Sequence, residues 1–168
     1  MSNDLDIFEL TDRAKRAQRA LATSTTAQRN GILLAISQAL VDHCEQILHA
    51  NAQDCQRAEE RGMASGLVDR LRLDESRIRA ISSAVLDVIA LEDPVGTVIR
   101  GGRTDDGLRV TQLRVPMGVI GMIYEARPNV TVDASILCLK AGNAVILRGG
   151  SAAQDTNETL VAVIREAI

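Results

Sequence analysis

Residues 117–151 read MGVIGMIYEARPNVTVDASILCLKAGNAVILRGGS, and this stretch decides the fold of the chain. It contains two short apolar runs, 119–123 and 144–147, with a longer segment between them. Nearly continuous apolar runs are typical of strands that are covered on both faces, as in a parallel sheet. We therefore expect two parallel strands, joined by a crossover of the usual right-handed sense.

The segment between the two runs has the spacing of a helix. Val132, Ile136 and Leu139 recur on one helical face, and Gly142 follows where a helix C-cap glycine belongs. A further helix after the second run is indicated by Thr159, Val163 and Ile164. Strand, helix, strand and helix in this order predict a βαβ unit followed by a helix.

The first 93 residues are predicted to be helical. Candidate N-caps, which precede apolar stripes at helical spacing, are the stretch Ser24-Thr25-Thr26 and Asp74. The charged segment 54–61 is expected to lie on the surface, and Pro94 follows the last of these helices. One face of the first helix is expected to carry Leu5, Phe8, Ala14, Ala17 and Leu21.

Between the helices and the first parallel strand, the composition predicts a β-hairpin. The β-rich runs 95–100 and 108–115 flank a turn of sequence GGRTDDG. The alternation of apolar side chains slips near Gln112, which a β-bulge or a change of packing partner explains. The expected fold is thus α/β, with N-terminal helices, a hairpin arm and the first βαβ unit of an open, Rossmann-like parallel sheet. Such a sheet is incomplete at its C-terminal side, so we expect a fragment.

Composition excludes several classes of function. A net charge of −3 and the absence of a basic block argue against nucleic-acid and membrane-surface binding, and no apolar run is long enough to span a membrane. The polar N-terminus is no secretory signal, and the odd number of cysteines fits reduced thiols, so a cytoplasmic location is expected. With only His43 and His49, no metal site is predicted.

Two loops are candidate sites, because ligands of open α/β sheets bind beyond the carboxyl ends of the strands. In the first, Arg148, Gly149, Gly150 and Ser151 follow the second strand. The guanidinium can bind a phosphate through two hydrogen bonds, and the glycines let backbone N–H groups approach an anion. The alternative interpretation is a tight strand-to-helix turn with a solvated arginine, and the usual GxGxxG fingerprint is absent.

The second loop, residues 124–129, follows the first strand and precedes a helix. Asn129 is either a donor to a developing oxyanion or the N-cap of that helix. Cys138 stands among apolar residues and is expected to be a buried structural thiol, whereas Cys44 and Cys55 are expected to be structural or surface thiols.

The runs VPMGVIGMIYEARPNVT (115–131) and LKAGNAVILRGGS (139–151) resemble the γ-glutamyl phosphate reductase family, as do DPVG (93–96) and DRL (69–71). The EARPN segment is specific to that family, whereas AGNAVILRGG is shared in outline with the aldehyde dehydrogenase superfamily. The resemblance implies NADPH-dependent reduction of γ-glutamyl phosphate to glutamate 5-semialdehyde and phosphate in proline biosynthesis. A cysteine nucleophile forms a thioester that the cofactor reduces.

The resemblance also implies roles for particular segments. Residues 1–94 would be the helical part of the cofactor-binding domain, 95–115 an oligomerisation arm, and 116–168 the start of the NADP-binding sheet. The family's catalytic cysteine and catalytic domain would be absent, so this fragment is expected to be inactive alone.

Individual residues follow from the same resemblance. Arg148 matches the basic residue at the adenine ribose, and Ser151 stands where NAD-preferring relatives often carry Glu, so NADP(H) is the expected cofactor. Asn129 or Arg127 matches the region of the oxyanion-hole amide, and Glu125 and Arg127 are expected to contact substrate. Two alternatives are another enzyme of the superfamily, and a truncated, non-catalytic nucleotide-binding or interaction module.

Overall fold

The computed structural model describes residues 6–168, so the predicted position of Leu5 lies outside the described residues. The seven helices of the described residues are α1 (Ile7–Ala22), α2 (Thr26–Asp42), α3 (Cys44–Glu60), α4 (Ser65–Leu71), α5 (Glu75–Ala90), α6 (Pro128–Lys140) and α7 (Gln154–Glu166). Their strands are β1 (Val98–Arg103), β2 (Arg109–Leu113), β3 (Val119–Ile123) and β4 (Ala144–Arg148), and a 3₁₀ turn covers Ser151–Ala153. The predicted α/β class and element order are confirmed.

The helix ends follow from local chemistry. Thr25 and Gln28 form a reciprocal capping box at the start of α2, with N–H donors 2.8 and 3.2 Å from the side-chain oxygens. Asp74 accepts a hydrogen bond of 2.7 Å from the backbone N–H of Arg77 at the start of α5. Gly142 ends α6 at a φ of +72°, a conformation that favours glycine. The structure thus selects Thr25 from the three candidate N-caps of α2, and the predicted caps at Asp74 and Gly142 are confirmed.

The main core lies between the N-terminal helices and the helices that flank the parallel strands. Because the chain is almost free of aromatic residues, this core is aliphatic; its most deeply buried side chains include Leu33, Ile36, Leu40, Ile47, Ile78, Val85, Val132, Ile136, Leu160 and Val163. Helix α1 contributes no buried residue, and Phe8 is 78% exposed. The helical segment before the hairpin and the βαβ segment after it therefore share one core.

The hairpin pairs β1 with β2 in antiparallel register. Val98 pairs with Leu113 and Arg100 with Gln112, so Ile99 is the extra residue of a bulge. The bulge lies opposite Gln112, but its extra residue belongs to β1 and not to β2, where the alternation slips. Every residue of both strands is exposed. Among the described residues, neither strand makes more than slight contact with an element outside the hairpin.

Strands β3 and β4 are parallel, as predicted, and pair from Val119 with Ala144 to Ile123 with Arg148. The expectation that both faces of these strands are covered is wrong, since Ile123 is 86% exposed. The physical reason is that β3 packs on β4 and more lightly on α1, which leaves part of its surface without helical cover.

The prediction of a surface position for residues 54–61 is also wrong for part of the segment. Asp54, Cys55 and Ala58 are buried, because this face of α3 packs against α7 and the 3₁₀ turn. A charged residue in a helical segment usually indicates a solvated face, but here polar donors from α7 surround the carboxylate of Asp54.

Candidate functional site

A cleft of about 610 Å³ opens at the carboxyl ends of β3 and β4. Its lining comprises Tyr124, Leu147, Arg148, Gly149, Gly150, Ser151, Gln154, Asn157, Glu158, Val161, Ala162 and Arg165. The structure thus brings together all four residues predicted from the loop after β4. This volume lies in the range of small-molecule and cofactor sites, and its position is where open α/β sheets bind ligands.

A chain of hydrogen bonds connects the walls of the cleft. The Tyr124 hydroxyl lies 2.6 Å from Thr131 Oγ1, and Thr131 donates to Asn157 Oδ1 at 2.8 Å. Thr131 is fully buried in the first turns of α6. Because these residues belong to the end of β3, to α6 and to α7, the hydrogen bonds fix the positions of these three elements around the cleft.

The two glycines are required by close packing. Neither Gly149 nor Gly150 has a positive φ, but a Cβ at 149 would overlap the Asn157 amide and lie 3.1 Å from the Tyr124 hydroxyl. A Cβ at 150 would lie 3.3 Å from the backbone nitrogen of Ala126. The glycines therefore let the β4–α7 loop approach α7 and the β3–α6 loop.

Arg148 and Ser151 are both exposed at the mouth of the cleft. The Arg148 guanidinium donates to the Gly149 carbonyl at 2.5 Å and forms no ion pair within residues 6–168. Arg165 adds a second cation, whereas Glu158 is hydrogen-bonded by Gln154 at 3.0 Å. The cleft mouth therefore presents an exposed guanidinium with donors available for an anionic group.

The loop after β3 differs from its prediction in one respect. Helix α6 begins at Pro128, with Arg127 as its N-cap, so Asn129 is not the N-cap. Proline is well suited to the first helical position, which moves the helix start ahead of Asn129. The Asn129 amide donates to Asp133 at 3.2 Å. Burial raises the pKa of Asp133, although this hydrogen bond opposes the shift.

Of the loop residues 124–129, Tyr124 lines the cleft at Arg148, but the three predicted site residues do not. Glu125 and Arg127 are exposed and Asn129 is half-buried, and none of the three belongs to the cleft lining. Their proposed contacts with substrate or oxyanion therefore concern a surface beside the cleft. Asn157 and Thr131 were not identified from the sequence, because their importance arises from contacts across the fold.

The three cysteines are unpaired thiols. Cys138 and Cys55 are buried, and Cys55 is therefore structural rather than exposed. Burial raises the pKa of each of the three thiols above its ordinary value, and at Cys44 the carboxylate of Glu75 adds to the effect. Each site therefore disfavours the thiolate, which is the nucleophilic form.

The described residues contain neither a cluster of metal ligands nor a membrane-spanning helix. Within 6–168, no three His, Cys, Asp or Glu side chains converge where a metal ion could be held. No helix in the same range combines the length and apolar character needed to cross a bilayer.

The fold and the cleft define an α/β protein of the open-sheet class, with a cleft at the carboxyl ends of its parallel strands. The sequence model of the aldehyde dehydrogenase family matches residues 2–168, and the chain belongs to this family. Within it, the chain is similar to γ-glutamyl phosphate reductases, which confirms the resemblance found in the EARPN segment. The γ-glutamyl phosphate reductase of Bifidobacterium longum subsp. infantis is 54% identical and covers 98% of this chain.

Solved structures give the same result. The γ-glutamyl phosphate reductase of Thermotoga maritima is 45% identical with a TM-score of 0.92, over 95% of this chain and 39% of that one. The Saccharomyces cerevisiae γ-glutamyl phosphate reductase is 34% identical with a TM-score of 0.90, over 95% of this chain and 41% of that one. The chain spans about two fifths of its relatives' length, with 39% of the Bifidobacterium protein covered.

Proposed function

We propose that this chain forms the NADP(H)-binding part of a γ-glutamyl phosphate reductase, which reduces γ-glutamyl phosphate to glutamate 5-semialdehyde and phosphate in proline biosynthesis. The observation that carries the proposal is the exposed Arg148 guanidinium at the carboxyl end of β4, with Ser151 beside it in the same cleft. The similarity to proteins named γ-glutamyl phosphate reductase supports the substrate.

The residues of the cleft bind and orient the cofactor, and the bound cofactor supplies the hydride for the reduction. Arg148 donates charge-assisted hydrogen bonds to the 2′-phosphate. The neutral hydroxyl of Ser151 leaves room for that phosphate without repelling it, whereas a carboxylate at the same position would repel it. Gly149 and Gly150 hold the loop against α7 and the β3–α6 loop, which keeps Arg148 and Ser151 at the cleft mouth.

The substrate side of the proposal concerns the loop after β3. Glu125 and Arg127 are exposed there and are proposed to contact γ-glutamyl phosphate, and Asn129 is proposed to donate to the oxyanion of the reaction. None of the three cysteines is proposed as the nucleophile, because burial disfavours the thiolate at each position. The chain alone is therefore expected to bind cofactor without reducing substrate.

The hairpin, residues 95–115, is proposed to mediate self-association. Its exposed apolar side chains are Val98, Ile99, Leu108, Val110, Leu113 and Val115, and exposed strands of this kind favour pairing with another chain. Segments 1–94 and 116–168 are proposed to form the cofactor-binding part together, because described residues of both segments share one core. Unpaired cysteines fit the reducing cytoplasm, which is the proposed location.

The test compares NADPH and NADH binding by the 168-residue chain. A hydrogen bond to a charged group contributes about 1.5–3 kcal/mol, so Arg148→Ala should weaken NADPH binding by about one to two orders of magnitude. NADH should be affected less, because it lacks the 2′-phosphate. Ser151→Glu should repel the 2′-phosphate and shift the cofactor preference toward NADH, in addition to the effect of Arg148→Ala. Arg61→Ala, which removes an exposed guanidinium outside the cleft, serves as the matched control.

Fluorescence titration of both cofactors measures these affinities. Equal losses of NADPH and NADH affinity in Arg148→Ala would mean that Arg148 shapes the loop and does not bind the phosphate. The alternative is a truncated, non-catalytic nucleotide-binding or interaction module. Turnover of γ-glutamyl phosphate by the isolated chain would reject it.

A further inference from the structure

A carboxylate buried behind the cleft has an unusually complete set of donors. The Asp54 side chain in α3 is fully buried. It accepts hydrogen bonds from the Thr156 backbone N–H at 2.8 Å, from Thr156 Oγ1 at 2.6 Å and from the Asp155 N–H at 3.3 Å. The guanidinium of Arg57 pairs with it and with Asp155, the latter at 2.7 Å. A buried carboxylate is stable only with such compensation.

These contacts place Asp54 at the start of α7, which has no side-chain cap of its own. Its N-cap position is Ala153, whose methyl group accepts no hydrogen bond. The first N–H groups of a helix need acceptors, and a negative charge there is favoured by the helix dipole. Asp54 supplies both from a different helix, about one hundred residues earlier in the chain.

The same helix start is continuous with the cleft. The 3₁₀ turn Ser151–Ala153 leads from the loop of Arg148 into α7, and Ala153 is fully buried among residues of α3 and α4. Asn157, which packs against Gly149, lies one residue beyond Thr156. The segment that presents Arg148 and Ser151 is therefore anchored at its far end by Asp54.

We propose that Asp54 is a positioning residue for cofactor selection: by capping α7 from α3, it holds the 148–151 loop in the arrangement that lets Arg148 bind the 2′-phosphate. This inference rests on the proposed NADPH preference of the cleft. Asp54 itself is buried behind the loop and does not line the cleft, so its effect on the cofactor passes through the loop.

The first measurement is hydrogen exchange of the 168-residue chain without cofactor. Asp54→Asn retains one acceptor but loses the charge, and it should speed exchange of the amides at 154–157 by about tenfold, the range expected when a helix cap is weakened. Glu60→Gln neutralises an exposed carboxylate of the same helix and is the control. Unchanged exchange at 149–157 in Asp54→Asn would overturn the proposal.

The second measurement is cofactor binding in a double-mutant cycle. Asp54→Asn should raise the Kd for NADPH about tenfold, equivalent to about 1.4 kcal/mol, and raise the Kd for NADH much less. In an Arg148→Ala background the effect on NADPH should fall to about twofold or less, because the two changes act on one contact. Equal losses for both cofactors, or additive effects with Arg148→Ala, would show a merely structural role and overturn the proposal.

A second pair of variants covers the case in which Asp54→Asn does not fold. Thr156→Val removes the hydroxyl, which donates to Asp54 and accepts from the Asn51 amide at 3.2 Å, whereas Thr156→Ser keeps both contacts. Thr156→Val should show the same selective loss of NADPH affinity as Asp54→Asn, and Thr156→Ser should bind NADPH as the unaltered chain does. Equal affinities of the two Thr156 variants would overturn the proposal. If the unaltered chain shows no preference for NADPH, or Arg148→Ala does not reduce it, the proposed function fails, and the inference with it.

Discussion

Gly149→Ala tests the packing that shapes the cleft. A methyl group at this position would overlap the amide of Asn157 and lie 3.1 Å from the hydroxyl and adjoining ring carbon of Tyr124. The Asn157 side chain has to rotate away, because the Tyr124 ring is held by its hydroxyl contact with Thr131. Rotation breaks the 2.8 Å hydrogen bond from Thr131 to Asn157 and separates α7 from the β4–α7 loop.

The expected loss of stability follows from three contributions. A lost intramolecular hydrogen bond costs about 0.5–1.5 kcal/mol, and forcing an extra methyl group into a packed site costs about 1–3 kcal/mol. The lower entropy of the unfolded chain with Ala stabilises by about 0.4–1 kcal/mol. The unfavourable contributions are larger, and Gly149→Ala should lower the free energy of unfolding by about 2 kcal/mol, within a range of about 0.5–4 kcal/mol.

Urea denaturation followed by circular dichroism measures this change. Gly102→Ala is the matched control, since no atom lies within 4 Å of its added methyl group and its φ is not positive. The double variant Gly149→Ala with Asn157→Ala should be about as stable as Asn157→Ala alone, because the overlapping amide is gone. Additive losses in the double variant, or no loss in Gly149→Ala, would refute this account of the cleft.

Two further predictions concern an ion pair and the hairpin. Burial alone would raise the pKa of Asp93, but hydrogen bonds from Thr26, the Val95 amide and the paired Arg29 lower it below its ordinary value. The charged carboxylate therefore stabilises the fold above about pH 4, and this stabilisation is lost as the pH falls further. Asp93→Asn should therefore lower the free energy of unfolding by about 3 kcal/mol at neutral pH, and denaturation curves should show this loss shrinking below about pH 4. A loss that does not change with pH, or an equal loss in the exposed control Asp87→Asn, would contradict this. For the hairpin, Val110→Asp should reduce self-association in sedimentation experiments while the exposed Leu86→Asp on α5 should not; equal association in both would argue against a role for β1 and β2.

Local sequence was sufficient for much of the fold. The cap at Thr25 and the glycine at 142 act through neighbours a few residues away, so their roles can be predicted without tertiary information. A bulge near Gln112 could be predicted from the slip in the alternation of β2, but only the pairing of the two strands decides that its extra residue, Ile99, lies in β1. The cleft at Arg148 was predictable for a related reason, since parallel strands place the loops after their carboxyl ends together.

Contacts between distant segments decided the rest. By itself, the sequence determined the helical segment, the hairpin, the parallel βαβ unit and the residues of the β4–α7 loop, because periodicity, caps and strand order depend on near neighbours. Only the tertiary structure placed Asp54 at the start of α7 and Asn157 against Gly149. A charged residue in a helical segment is usually solvated, and its burial becomes favourable only when donors from elsewhere in the chain surround it, which no local pattern records.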